Sequence, residues 1–185
     1  VNKVSKKTNR QTPRSRRLLH NALLDLLQEK PFQKITVAEI TDKADLARST
    51  FYTHFETKEE LLHCCIDETL REFFDEIEEK VDFEKPRELG SYFWELFFQR
   101  WGEKDELVRL IGEREFSEIV MKRMRTHHQA MYANKISQDI PEMTPVLAGY
   151  FIEFLTYSSF GVLKHWIETG KKQPPETVAS LMSEF

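Results

Sequence analysis

At 185 residues and 22.0 kDa the chain is one large domain or two small ones, long enough to bury a real core. Forty per cent apolar and 31% charged residues make an ordinary soluble balance, and six Gly with seven Pro exclude a loop-rich or collagen-like chain. The net charge of −4 hides an asymmetry, because residues 1–60 carry 12 Lys+Arg against 8 Asp+Glu, net +4, and residues 61–185 carry 15 against 23, net −8.

The chain opens with seven basic groups and no acid in its first 20 residues: Lys3, Lys6, Lys7, Arg10, Arg14, Arg16 and Arg17. A basic head on an acidic body points the N-terminal part at a polyanion. No apolar h-region lies in the first 17 residues, so no secretory signal is expected. Leu19, Ala22, Leu23, Leu26 and Leu27 share one helical face. That first helix is expected to start near Pro13 and to end near Lys30, since Pro31 cannot continue it.

Thr36 and Glu39 form a capping box at the start of a short second helix, 37–44. Asp45 lies at a turn, where Asp accepts a left-handed backbone better than most residues. A third short helix covers about 47–55. Thr57 with Glu60 is a second capping box, opening a long amphipathic helix over 58–80. Further helices are expected at about 86–100, 104–111, 114–136 and 146–169, the last stopping at Gly170, and a final one opens at Pro174–Pro175. The longest uncharged apolar stretch, 154–163, is too short to span a bilayer, so no membrane partner is expected. Two adjacent cysteines, Cys64 and Cys65, cannot staple such a fold and suit a reducing cytosol. Lys58 and Arg71 are the bases nearest to them along the chain.

Three short helices with a tight second turn behind a basic arm have the organisation of a helix-turn-helix. Val37, Ile40 and Ala44 make the second helix's apolar face, Leu46 plugs the turn, and Phe51 with Phe55 makes the third helix's buried side. Arg48 with Tyr52, and Ser49 with Thr53, are then two outward ridges at i, i+4. Arg reads guanine edges, Ser and Thr reach bases or phosphates, and Tyr hydroxyls hold phosphate. An enzyme is not expected: GxSxG, GxxxxGK[ST], HExxH and CxxC are all absent. Neither a cofactor nor a metal is expected. His127 and His128 lack metal-ligand spacing and suit a surface or capping role. The other reading is a non-specific or architectural DNA-binding helical protein, against which the acidic body argues.

The stretch ITVAEITDKADLARSTFYTHFETKEELL, residues 35–62, resembles the DNA-binding domain of the TetR/AcrR family of bacterial transcriptional regulators. Thr50-Phe51-Tyr52-Thr53-His54-Phe55, then Lys58 and the Leu61–Leu62 pair, carry the resemblance, which covers about residues 12–62. It implies that Tyr52 and Lys58 hold phosphates, that His54 lies at the same backbone contact, and that Thr36 both caps and touches phosphate. It also implies that Arg48, Ser49, Thr50 and Thr53 face the groove. Asp45 replaces the family's usual turn Gly, and Ala47 replaces the Ser that caps the third helix, a loss of about 1 kcal/mol.

The segment SFGVLKHWIETGKKQPPETVA, residues 159–179, is similar to the last helices of a subgroup common in Gram-positive bacteria, one with activator-like relatives near dihydroxyacetone kinase genes. By resemblance the last two long helices form a homodimer interface, with Phe151, Leu155, Ser158, Val162 and Trp166 suited to it. The resemblance also places an effector pocket among the body's aromatics, lined by Phe73, Phe93, Trp94, Phe97, Phe116, Phe154 and Tyr157.

The expectation is therefore an all-α chain. Residues 1–57 are a helix-turn-helix DNA-binding domain with a basic arm, and 58–185 a helical effector-binding and dimerisation domain. Its partners would be a double-stranded DNA operator, an unknown small-molecule effector and a second copy of itself, in the cytoplasm.

Overall fold

The computed structural model describes residues 5–80, 86–102, 114–131, 133 and 144–184, and among these it holds eight α-helices and no strand. The chain separates into two compact units, Val1–Ile66 and Asp67–Phe185. The boundary falls inside a helix, nine residues later than the expected break at 57/58.

In the first unit, α1 (Ser5–Glu29) presents Leu19, Ala22, Leu23, Leu26 and Leu27 to the core, all buried. It begins eight residues before Pro13, which was expected to start it. Lys6, Lys7, Arg10 and Gln11 are good helix formers with no glycine among them, so the helix forms on both sides of a residue lacking an N–H. A 3₁₀ turn at Phe32–Lys34, not legible as periodicity, buries Phe32 and leads to buried Ile35.

Next come α2 (Val37–Lys43) and α3 (Arg48–His54), which pack on each other and on α1. Helix α4 (Lys58–Lys80) starts at Thr57, whose hydroxyl accepts the Glu60 N–H at 3.1 Å. The Glu60 carboxylate reaches back to the N–H of Glu56 at 2.7 Å, not to that of Thr57, so the reciprocal half of the second capping box is displaced by one residue. Leu61, Leu62, Cys65 and Ile66 of α4 are fully or nearly fully buried and fall within the first unit, which is why the boundary moves into the helix.

The second unit contains α5 (Pro86–Gly102), α6 (Arg114–Met131), α7 (Pro145–Glu168) and α8 (Pro175–Met182). Helix α5 packs against α8, and α6 against α7. The helix expected at 104–111 and the end of the one expected at 114–136 lie outside the described residues, apart from Ala133. Phe73 meets Phe74, Phe93 and Phe97 edge-on at centroid distances of 5.1–5.7 Å, and Phe97 continues the cluster to Phe98 and Trp101. Edge-to-face pairs add about 0.5–1.5 kcal/mol each beyond area burial, so the phenylalanine excess is spent on this core.

Helix α7 starts on Pro145, with the Thr144 hydroxyl accepting the Leu147 N–H, and ends on Gly170 at φ +75°. It is long and apolar enough to cross a membrane by length and composition, an 18-residue stretch within it having a mean hydropathy of 1.4, which the uncharged run 154–163 alone understated. One side of it is buried within the unit, through Ala148, Ile152, Thr156, Ser159, Phe160, Leu163 and Trp166.

Candidate nucleic-acid interface

A seven-residue helix such as α3 cannot stand alone in water and is held by its neighbours. Phe51 and Phe55 do this, at 0% and 3% exposure, their rings 5.8 Å apart. Burying each is worth about 1.5–3 kcal/mol. The turn before α3 is a Schellman arrangement: Leu46 N–H donates to Thr41 C=O at 2.9 Å and Asp45 N–H to Asp42 C=O at 3.2 Å. Asp45 takes φ +54°, the left-handed conformation for which glycine is the usual residue. Ala47 sits in extended N-cap geometry and makes no side-chain cap.

With Phe51 and Phe55 turned inward, Arg48, Ser49, Tyr52 and Thr53 stand exposed on the other side of α3, while Thr50 and His54 are half-buried at its margins. The Arg48 guanidinium donates to the Tyr52 hydroxyl at 3.2 Å and lies 5.6 Å from its ring centroid, so the two side chains form one ridge. Thr53 gives its hydroxyl hydrogen to the Ser49 carbonyl at 2.9 Å, leaving its oxygen to accept. Burial, and secondarily the nearby Arg16 charge, hold the His54 pKa below its ordinary value. At neutral pH that ring offers a phosphate an N–H, not a charge.

Two expected phosphate ligands are committed elsewhere. The Thr36 hydroxyl accepts the Glu39 N–H at 3.3 Å and donates to the Glu39 carboxylate at 2.9 Å, completing the capping box. Lys30 closes on the same carboxylate at 2.5 Å, and these partners, Lys30 foremost, bring the Glu39 pKa down to about 2. The Lys58 ammonium donates to the carbonyls of Phe32, Gln33 and Ile35 at 3.0, 3.3 and 2.7 Å, and lies 4.6 Å from the Phe32 ring centroid. The end of a 3₁₀ turn leaves carbonyls without helical partners, and a cation at the start of α4 satisfies them. Arg16 of α1 was also out of reach of a reading by spacing. Its guanidinium lies 5.2 Å from the Phe55 ring centroid and donates to Cys64 Sγ at 3.1 Å, closer to that thiol than the sequence neighbours suggested. These partners lie 23 to 48 positions apart along the chain, beyond any local pattern.

A family model described as bacterial regulatory proteins, tetR family, matches residues 19–65, and a second, described as transcriptional regulator C-terminal region, matches residues 91–185, just over half of the chain. The chain belongs to the TetR family. The matching models describe transcriptional regulators, a family of regulators rather than enzymes. Over 97% of its length this TetR-family chain is 26% identical to an uncharacterized HTH-type transcriptional regulator, YxbF, of Bacillus subtilis (strain 168), and it spans 46% of that protein's length. Its fold matches a TetR transcriptional regulator from Streptococcus agalactiae 2603V with a TM-score of 0.63, at 24% identity over 96% of each chain. FadR from Bacillus subtilis, solved in complex with stearoyl-CoA, also gives 0.63, at 15% identity over 90% of this chain and 95% of that one. These likenesses are of fold.

In the helical body of this TetR regulator, five of the seven expected pocket residues, Phe73, Phe93, Trp94, Phe97 and Phe116, are buried. Phe93 stacks on Phe97 at 5.7 Å and meets Trp94 edge-on at 5.2 Å, so four of the five form one packed group. Phe154 and Tyr157 do not join them: at 61% and 55% exposure they face outward on α7, in one stripe with Leu147 and Tyr150.

The expected dimer residues lie on a neighbouring side of α7, with Phe151, Leu155, Ser158 and Val162 half-buried. Trp166 is not on the surface at all. It is buried against Phe98, 5.5 Å away and edge-on, and its indole N–H donates to the Gln173 carbonyl at 2.8 Å. A helix rotates by about 100° per residue, so a stripe assigned one residue off turns toward its own core. An open cleft of about 600 Å³ lies beside Trp166, between Glu95, Gln99 and Gly102 of α5, the linker residues Lys171, Gln173 and Pro174, and Pro175 and Glu176 at the start of α8. The histidine pair is not a surface feature: His128 is 1% exposed, and His127 stacks on Phe74 at 5.1 Å.

Proposed function

We propose that this TetR-family chain binds a palindromic operator as a homodimer, represses transcription there, and changes its operator affinity when a small effector enters its helical body. The exposed ridge of Arg48, Ser49, Tyr52 and Thr53 on a helix fastened by Phe51 and Phe55 carries the reading. A short helix whose outward face offers a bidentate donor and hydroxyls is suited to the major groove. Tyr52 and His54 supply backbone contacts, and Lys58 supports the recognition helix by holding the 3₁₀ turn to α4.

Two-fold pairing is supported by the apolar stripe of Leu147, Tyr150, Phe154 and Tyr157 on α7, with Leu181 of α8 also exposed. Phe151, Leu155, Ser158 and Val162 flank that stripe. A two-fold dimer sets its recognition helices about 34–36 Å apart or somewhat more, one turn of DNA. The effector site is the aromatic cluster of the second unit, and α4, continuous across the boundary between the units, carries the response. An operator places the regulator in the cytoplasm.

Footprinting on DNA selected from random sequence tests this. A protected palindrome with two half-sites, bound far more tightly than one half-site, is the expected result. Uniform protection without sequence preference overturns it in favour of an architectural DNA binder.

A further inference from the structure

The aromatic cluster of the second unit contains a polar atom that its packing leaves over. His128 projects from α6 and is 1% exposed. Its Nδ1 pairs with Thr156 Oγ1 of α7 at 2.9 Å. Its Nε2 is shut off from solvent and has no hydrogen-bond partner. Phe74 meets the imidazole edge-on at 5.0 Å, and Phe93 lies 6.3 Å away. A phenylalanine would fill the same volume with no unmet polar group, and native cores rarely leave such an atom orphaned without a use. The nitrogen lies among the rings where an effector site is placed above.

The surroundings restrict what can pair with it. Asp67, Asp75, Arg71 and Arg123 act on the neighbouring His127, which stacks on the other side of Phe74. Burial, and secondarily the neighbouring His127, the charge-bearing group that acts on it among the described residues, takes the His128 pKa down to about 4. The ring is neutral at physiological pH. An ionised carboxylate or a phosphate group brought there would find no counter-charge and would lose its water. The tautomer depends on Thr156: if the hydroxyl donates to Nδ1, then Nε2 carries a hydrogen, and if it accepts, Nε2 is bare. A hydroxyl group pairs with either form.

We propose that His128 is the polar anchor of the effector pocket, and that the effector is an uncharged, largely apolar alcohol or phenol whose hydroxyl pairs with Nε2. Binding swings Phe74 or Phe93 off the imidazole and puts the ligand's apolar body in its place. This rests on the ligand-responsive reading above and names the chemistry of its site.

The test uses the full chain labelled with nitrogen-15 and three probes of matched shape: para-ethylphenol, ethylbenzene and para-ethylbenzoate. The phenol is expected to shift the imidazole nitrogen signals of His128 and to bind about tenfold more tightly than ethylbenzene. The benzoate is expected to leave those signals unmoved. In His128→Phe the phenol and ethylbenzene should bind equally. Unmoved His128 signals in the presence of the phenol overturn the proposal, as does an advantage for the phenol that survives in His128→Phe. The wild-type titration needs no variant to fold. Operator binding, measured in parallel by fluorescence anisotropy, separates the two readings: normal operator binding with silent His128 signals removes the anchor alone. A His128 response with no operator binding leaves the anchor standing and removes the regulator reading.

Discussion

On the proposed reading, single side chains on α3 divide the labour of DNA binding. Arg48→Ala removes a bidentate donor, so affinity should fall by about 1–3 kcal/mol at particular base pairs and preference there should relax. Tyr52→Phe removes a neutral hydroxyl and should weaken all sequences alike. Competition between the operator and its single-base variants checks both, and equal losses on operator and random DNA for Arg48→Ala would show that it does not read bases. His128 contributes to the pH dependence of the body. Its folded pKa of about 4 lies below its ordinary 6.5, so between those values the unfolded chain binds the extra proton. The His128 contribution to stability should therefore decline by about 3 kcal/mol as pH falls from 6.5 to 4, and level off below. His128→Phe should flatten that part of the curve in denaturant titrations; an unchanged slope would mean that the imidazole is not held neutral.

At the scale of the element, the turn between α2 and α3 is functional but not optimised. Ala47 occupies N-cap geometry without a cap, and Asp45 occupies a left-handed position. Ala47→Ser should add about 1 kcal/mol by accepting an N–H of the first turn of α3, and Asp45→Gly about 0.5–1 kcal/mol by relieving φ +54°. Thermal melts check these gains, and a loss from Ala47→Ser would mean that the helix start differs from the one described. Helix α1 makes the complementary case. Deleting residues 1–10 removes Lys3, Lys6, Lys7 and Arg10 and shortens the helix from Ser5, yet leaves Leu19, Leu23, Leu26 and Leu27 in place. The melting temperature should hold while operator affinity drops at moderate salt. Affinity that stays constant across salt concentrations would make the arm a bystander.

For the whole molecule the question is which face of α7 meets a second copy. Tyr150 and Phe154 are 75% and 61% exposed, so glutamate at both should cost one subunit's fold little. At a two-fold interface the same charges are buried and each is met twice. Tyr150→Glu with Phe154→Glu should sediment as a folded monomer and lose palindrome binding far more than half-site binding. A folded dimer with normal operator affinity would move the interface to another surface.

Periodicity and punctuation alone determined most of the helices, because the residues that decide them are close in sequence. Thr36 with Glu39, Pro31, Gly170 and the spacing of Phe51 and Phe55 act within one or two turns. The outward ridge of α3 was legible for the same reason: once Phe51 and Phe55 point inward, 3.6 residues per turn sends Arg48, Ser49, Tyr52 and Thr53 outward. Only the tertiary structure could show that Lys58 is held by three carbonyls at 32–35, that Arg16 lies against Phe55 and Cys64, and that the unit boundary falls inside α4. It alone turned Trp166 inward and Phe154 outward, and buried His128 on Thr156. An aromatic side chain on an apolar helix satisfies the local pattern on either face, and which face is covered depends on helices that arrive from elsewhere in the chain.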